Sequence, residues 1–130
     1  MPRCFGRRLW MTLLLLAAGG AGAQAPSYRL TIFDIAGQAS NSAADINEAG
    51  HVVFNGFGSS SLDERVYFWD GTALTALGQG SAAALNNRDQ IVGSAFWDTA
   101  TSTRTPAPDN ARVYDINDSG QIAGYRYPDT

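Results

Sequence analysis

Hydrophobic residues along this chain fall into short runs separated by stretches rich in Gly, Ser, Asn and Asp, and the runs alternate with a strand period. Tyr28 to Ile35 places Leu30, Ile32 and Asp34 on one side and Arg29, Thr31, Phe33 and Ile35 on the other, which predicts a strand ending at Gly37. His51–Phe54 and Val66–Trp69 predict two more strands. Asp70-Gly71, between apolar runs, predicts a hairpin whose return strand, Thr72–Leu77, stops at Gly78. Gln90–Trp97 predicts a further single strand. Gln38–Ala43 is small and polar and reads as a loop, and Asn55–Glu64 is the most loop-like stretch of all. In Thr99–Asn110, Pro106 and Pro108 oppose a central strand, so a return strand there is expected to be degenerate or looped out.

The runs repeat. Ala44-Asp45-Ile46-Asn47-Glu48-Ala49-Gly50-His51-Val52-Val53 returns as Ala84-Leu85-Asn86-Asn87-Arg88-Asp89-Gln90-Ile91-Val92-Gly93 and as Asp115-Ile116-Asn117-Asp118-Ser119-Gly120-Gln121-Ile122-Ala123-Gly124. Asn47, Asn86 and Asn117 superpose with steps of 39 and 31 residues, with Val52, Ile91 and Ile122 five residues on. Asn side chains bond neighbouring backbone amides and Gly takes positive φ, so Asn47–Gly50 and its counterparts predict tight turns. From Asn47 to Trp69 is 22 residues, whereas from Asn86 to Trp97 is 11, which marks Asn55–Glu64 as an insertion.

The full unit is Ala-x-φ-Asn, a turn residue, Gln-φ-φ-Gly, an aromatic pair ending in Trp-Asp, and a returning strand ending in Leu-Gly. This unit resembles the extracellular HAF repeat of secreted bacterial proteins, over roughly Tyr28 to Asp129. The resemblance implies propeller-like antiparallel blades. Two departures stand out: Asp89 takes the place of the turn Gly in the middle copy, and there are about two and a half units where a closed propeller has four to eight. A repeat leaves apolar faces that only a neighbour covers. The chain is therefore expected to be a truncated member, or one that completes its ring by association. The spacing also approaches WD40 blades, with Trp69-Asp70 as the dipeptide, but the Gly-His partner of that repeat is missing.

The longer apolar block near the start has a different character. Arg3, Arg7 and Arg8 precede Leu9–Ala18, a pattern that predicts a signal peptide over residues 1–23, cleaved after Ala23 or alternatively after Ala25. Arg7-Arg8 lacks the flanking residues of a twin-arginine signal. Localisation is then secreted or periplasmic, with a β-repeat domain over 24–130. Removing the leader leaves six Arg against twelve Asp and Glu, a formal charge of −6, and Lys is absent. That balance argues against a nucleic-acid footprint or an anionic membrane surface. Cys4 lies in the leader, so disulfide and thiol chemistry are not expected of the mature chain.

Candidate chemistry is sparse. Asp115-x-Asn117-x-Ser119-Gly120 matches the first half of an EF-hand loop, but the closing bidentate Glu is replaced by Arg126. Asp115, Asn117 and Ser119 are weak metal candidates beside the reading in which they cap turns. Gly78–Ala83 matches a loose dinucleotide pattern that needs a following helix. His51, the single histidine, is replaced by Gln90 and Gln121 in the other copies and reads as a partly exposed strand residue. Phe68, Trp69, Phe96 and Trp97 fit core packing better than a carbohydrate-stacking surface. The resulting expectation is an all-β, propeller-like export product acting as a scaffold or binding module, non-enzymatic and without a cofactor. Its partner would be a protein or glycan, and homo-oligomerisation is an option. The alternative is an exported propeller hydrolase using loop carboxylates, in which Asn55–Glu64 and Thr99–Asn110 would converge on a cleft with carboxylates of raised pKa. A scaffold would present a flat end-face with turns facing solvent. A third reading is a non-functional remnant.

Overall fold

The computed structural model describes residues 25–60 and 62–128, so the leader read at 1–23 lies outside the described residues. The chain divides into two units, Met1–Thr31 and Ile32–Thr130. In the first, residues 25–31 are exposed and form no helix or strand. The second is all-β. Its described residues form three antiparallel sheets. The first sheet holds β1 (Ser40–Ile46), β2 (Val52–Phe57), β3 (Glu64–Trp69) and β4 (Leu74–Gln79). The second holds β5 (Ala82–Leu85), β6 (Gln90–Gly93), β7 (Ala95–Asp98) and β8 (Thr103–Pro106), and the third holds β9 (Ala111–Ile116) and β10 (Ile122–Arg126). Each sheet is a meander in which strands neighbour one another in chain order.

The first strand of every sheet carries a bulge at one repeat position, three residues before the turn Asn. Ala44, Ala83 and Tyr114 are each skipped in the register with the following strand. Such an extra residue increases local twist. Gly93 is required beside the second bulge, because a Cβ there would run into the Ser81 carbonyl.

The core lies between the first two sheets. Val53, Val66 and Phe68 on one face of the first meet Ala82, Leu85, Ile91, Ala95 and Trp97 of the second, with Ala44 and Leu77 at the margin. Burying a side chain such as Ile91 is worth about 1.5–3 kcal/mol. The other face of the first sheet is covered separately, where Phe33 and Ile35 lie on Val52, Phe54, Tyr67 and Trp69. The Phe33 ring centroid sits 4.7 Å from that of Phe54 and 5.3 Å from that of Trp69.

Several sequence expectations need correction. Tyr28–Ile35 is not a strand, and Tyr28, Leu30 and Ile32 are exposed. Phe33 and Ile35 contact a sheet face, where the chain finds apolar cover but no row of backbone partners. Gln38–Ala43 is not all loop, since β1 starts at Ser40, and the corresponding Ala-rich stretch in the second copy is β5. Composition hid these strands because the residues that pack against a facing sheet here are small. Asn55–Phe57 extends β2, so the inserted loop is shorter than expected. Gln90–Trp97 is a tight hairpin rather than one strand, folded at Ser94, whose N–H donates to the Ser81 carbonyl at 2.9 Å. The return strand of the second copy is present as β8, an exposed edge strand that ends on Pro106, where a missing N–H costs little.

Candidate binding cleft and the turn ladder

The connections β1–β2, β3–β4, β5–β6 and β7–β8 all lie at one end of the sheets, which gathers the Asn and Asp side chains there. Each Asn closes its own turn. The Asn86 side-chain oxygen accepts from Arg88 N and Gln90 N, both at 3.0 Å, and that of Asn117 accepts from Ser119 N at 3.0 Å and Gln121 N at 2.9 Å. Asn47 accepts from His51 N at 3.0 Å.

The same side chains bond forward to the next copy. Asn47 Nδ2 donates to the Asn86 carbonyl and Asn86 Nδ2 to the Asn117 carbonyl, both at 3.1 Å. A second row runs beside it, in which Glu48 N donates to Asn87 Oδ1 at 2.9 Å and Asn87 N to Asp118 Oδ1 at 2.8 Å. Asp45 adds a third link by accepting from Leu85 N at 2.9 Å. The turns are therefore rungs of a ladder between copies, a role invisible in any single copy.

Two residues that break the repeat, His51 and Asp89, meet in this ladder. In the second and third copies, Asn Nδ2 donates to the Gln side chain four residues on, Gln90 or Gln121, at 2.8 Å. In the first copy His51 stands at that position, and Asn47 Nδ2 donates at 2.8 Å to Asp89 Oδ1 of the next copy instead. The same oxygen lies 2.8 Å from His51 Nδ1. Asp89 has φ of 59°, the left-handed turn geometry that Gly50 and Gly120 supply elsewhere. Asp89→Gly is expected to cost about 1–2 kcal/mol by leaving Asn47 and His51 without their acceptor, and His51→Gln in the same chain should restore much of it. Urea unfolding of both single variants and the double variant measures the coupling; purely additive losses would sink it.

Between the first two sheets at this end lies a cleft of about 550 Å³. Phe68 and Trp97 form its floor, Asp70, Asp89 and Asp98 its carboxylates, and Thr75, Thr99, Ser102, Thr103 and Arg104 much of the remaining wall. The Arg104 guanidinium stands 5.7 Å from the Trp97 ring centroid. Backbone N–H bonds from Ala73 and Thr72, with the Thr72 hydroxyl, hold Asp70 down from its ordinary 3.8 to about 2. Asp98 is held low by the N–H of Thr101 and the Gln90 amide, and Asp118 by the N–H and side chain of Asn87. A folded-state value below the unfolded one contributes stability that is present above the unfolded pKa and lost as pH falls through the folded one. For Asp70 the loss falls between about 4 and about 2. Melting temperature should be flat above this window and drop within it, less steeply in Asp70→Asn; an unchanged profile in that variant would count against the assignment.

Of the two loops named for a hydrolase, only the first part of Thr99–Asn110 reaches the cleft. The insertion after β2 lies at the end of the first sheet opposite the Asn turns, whereas Thr99–Arg104 lines the cleft at the turn end. Of the weak metal candidates, Asp115 accepts from Ile116 N at 2.8 Å, Asn117 accepts from the Ser119 and Gln121 backbone amides, and Ser119 contributes its N–H to that turn. Among the described residues no group of three His, Cys, Asp or Glu is placed to hold a metal ion. Gly78–Ala83 runs from the end of β4 into β5 and not into a helix. Phe68 and Trp97 belong to the core, Trp69 leans on Phe33, and Phe96 lines a smaller cavity of about 290 Å³ with Ile116 and Ile122. The sequence reading missed the His51–Asp89 link and the wall contributed by Thr99–Arg104. The signal for the first was available, since both residues break the repeat.

Comparison with protein-family models, with curated proteins and with solved structures gives no match for this chain.

Proposed function

We propose that this chain is an exported, HAF-like repeat module with propeller-type units, and that it binds a neutral, hydroxyl-rich glycan at the turn end without transforming it. The observation that carries the reading is the state of the cleft carboxylates. Asp70 and Asp98 are fixed by backbone amides and held low, so they are ionised acceptors suited to sugar hydroxyls and poorly suited to donating a proton. The negative balance of the mature sequence disfavours anionic partners. Exposed turn tips at Glu48, Asn87 and Asp118 offer the flat polar rim expected of a binding surface.

The test is calorimetric titration of the full chain with neutral oligosaccharides, alongside assay of the same sugars for cleavage. Binding that Asp98→Ala or Arg104→Ala weakens at least tenfold, with the sugar recovered intact, supports the reading. Cleavage lost in Asp98→Asn would replace it with the hydrolase.

A further inference from the structure

The ladder leaves its two ends unequal to its middle. Leu85 is 6% exposed because the first sheet covers it, yet its counterpart in the first copy, Ile46, is 63% exposed. The cover provided by Phe33 and Ile35 reaches β2 and β3 and leaves this β1 residue open. At the other end, the face of the third sheet turned away from the second carries Tyr114, Tyr125 and Tyr127, all exposed. Their rings form a continuous patch, with centroids 5.8 Å and 4.9 Å apart and a 2.6 Å bond between the Tyr125 and Tyr127 hydroxyls. That bond raises the Tyr127 pKa.

The polar groups at these ends are complementary. Within the chain, the Asn86 carbonyl accepts from Asp89 N of its own turn and from Asn47 Nδ2 of the preceding copy, and the Asn117 carbonyl accepts in the same way from Gly120 N and Asn86 Nδ2. Among the described residues the Asn47 carbonyl accepts from Gly50 N alone. Asn117 Nδ2 donates within its own turn and, among the described residues, meets no forward carbonyl. Among the described residues Asp118 N–H likewise meets no forward acceptor of the kind that Asp118 itself gives to Asn87 N, and Glu48 carries such an acceptor at the opposite end.

From this we propose that the tyrosine face of the third sheet docks a second copy of this chain head to tail, against Ile46, Asn47 and Glu48 of that copy. Asn117 then bonds the partner copy's Asn47 carbonyl, Asp118 N–H bonds its Glu48, and Ile46 is buried against the tyrosines as Leu85 is buried within the chain. Such a contact joins unlike surfaces, so it propagates into a ring or a filament. It brings the Asp118 and Glu48 carboxylates onto neighbouring rungs, and added salt therefore strengthens it. The inference is independent of what the cleft binds.

Light scattering of the full chain across a concentration series tests this. The unmodified chain should gain mass with concentration. Ile46→Arg and Tyr125→Glu, both at exposed positions, should each remain at single-chain mass, and their equimolar mixture should reach two-chain mass because each supplies the surface that the other has lost. Glu48→Ala, which removes one acceptor and no apolar contact, should shift association to higher concentration with an unchanged circular dichroism spectrum. A single-chain mass for the unmodified protein throughout overturns the proposal. So does full association of Ile46→Arg, the result of third sheets pairing with each other, and so does a mixture that stays monomeric.

Discussion

Asn86→Ala is expected to lower the unfolding free energy by about 3–4 kcal/mol, several times the loss of about 0.5–1.5 kcal/mol expected of Asn117→Ala. The two residues make the same bonds within their own turns, to the amides two and four residues on and to a Gln side chain. They differ in surroundings. Asn86 is 3% exposed and donates onward to the Asn117 carbonyl, whereas Asn117 faces solvent. Truncating Asn86 removes the partner of two N–H groups and two acceptors around a buried side chain, and each group that stays buried and unpaired costs about 1–3 kcal/mol before relaxation. Truncating Asn117 lets water replace the lost partner. Urea denaturation followed by far-ultraviolet circular dichroism gives both values; equal losses would mean that the ladder between copies adds nothing to the turns themselves.

Trp97→Ala is expected to cost about 3–5 kcal/mol, a large share of the total stability of a domain this size. The indole is 4% exposed, sits in the cluster joining the first two sheets, and donates through Nε1 to the Leu77 carbonyl at 3.3 Å. Removing it takes the largest side chain from that cluster and leaves a cavity that the surrounding strands cannot close without breaking their registers. Trp97→Phe should cost less, about 1–2 kcal/mol, through the orphaned Leu77 carbonyl and a weaker platform for Arg104. These figures also separate two roles for the ring. A loss below about 1 kcal/mol in Trp97→Ala, paired with loss of sugar binding, would make it a wet ligand platform rather than core.

Much of the architecture was legible because its signals are local. The Asn turns, the Asp70-Gly71 hairpin and strands β2, β3 and β4 each rest on residues whose backbone preferences act within a few positions. Of the strands that escaped notice, β1, β5 and β8 are built largely from Ser, Ala, Thr and Pro. Such residues form strands here because a neighbouring strand or sheet is already in place, and strand preference depends on that context. Tyr28–Ile35 errs in the opposite sense: alternation describes what a strand looks like, and only an available edge makes one. The cleft was half legible. Its carboxylates were visible as turn residues, but the wall from Thr99 to Arg104 depended on β8 returning beside β7 in the same sheet.

By itself, then, the sequence determined the all-β class, the repeat, and the positions and chemistry of the turns, because periodicity and turn preference are properties of neighbouring residues. The tertiary structure alone decided what those turns are for. Asn47, Asn86 and Asn117 are separated by 39 and 31 residues, and only the stacking of one sheet on the next brings each amide to the following carbonyl. The pairing of His51 with Asp89, 38 residues away, has the same origin, since hydrogen bonds act over about 3 Å of space whatever the chain distance between their partners.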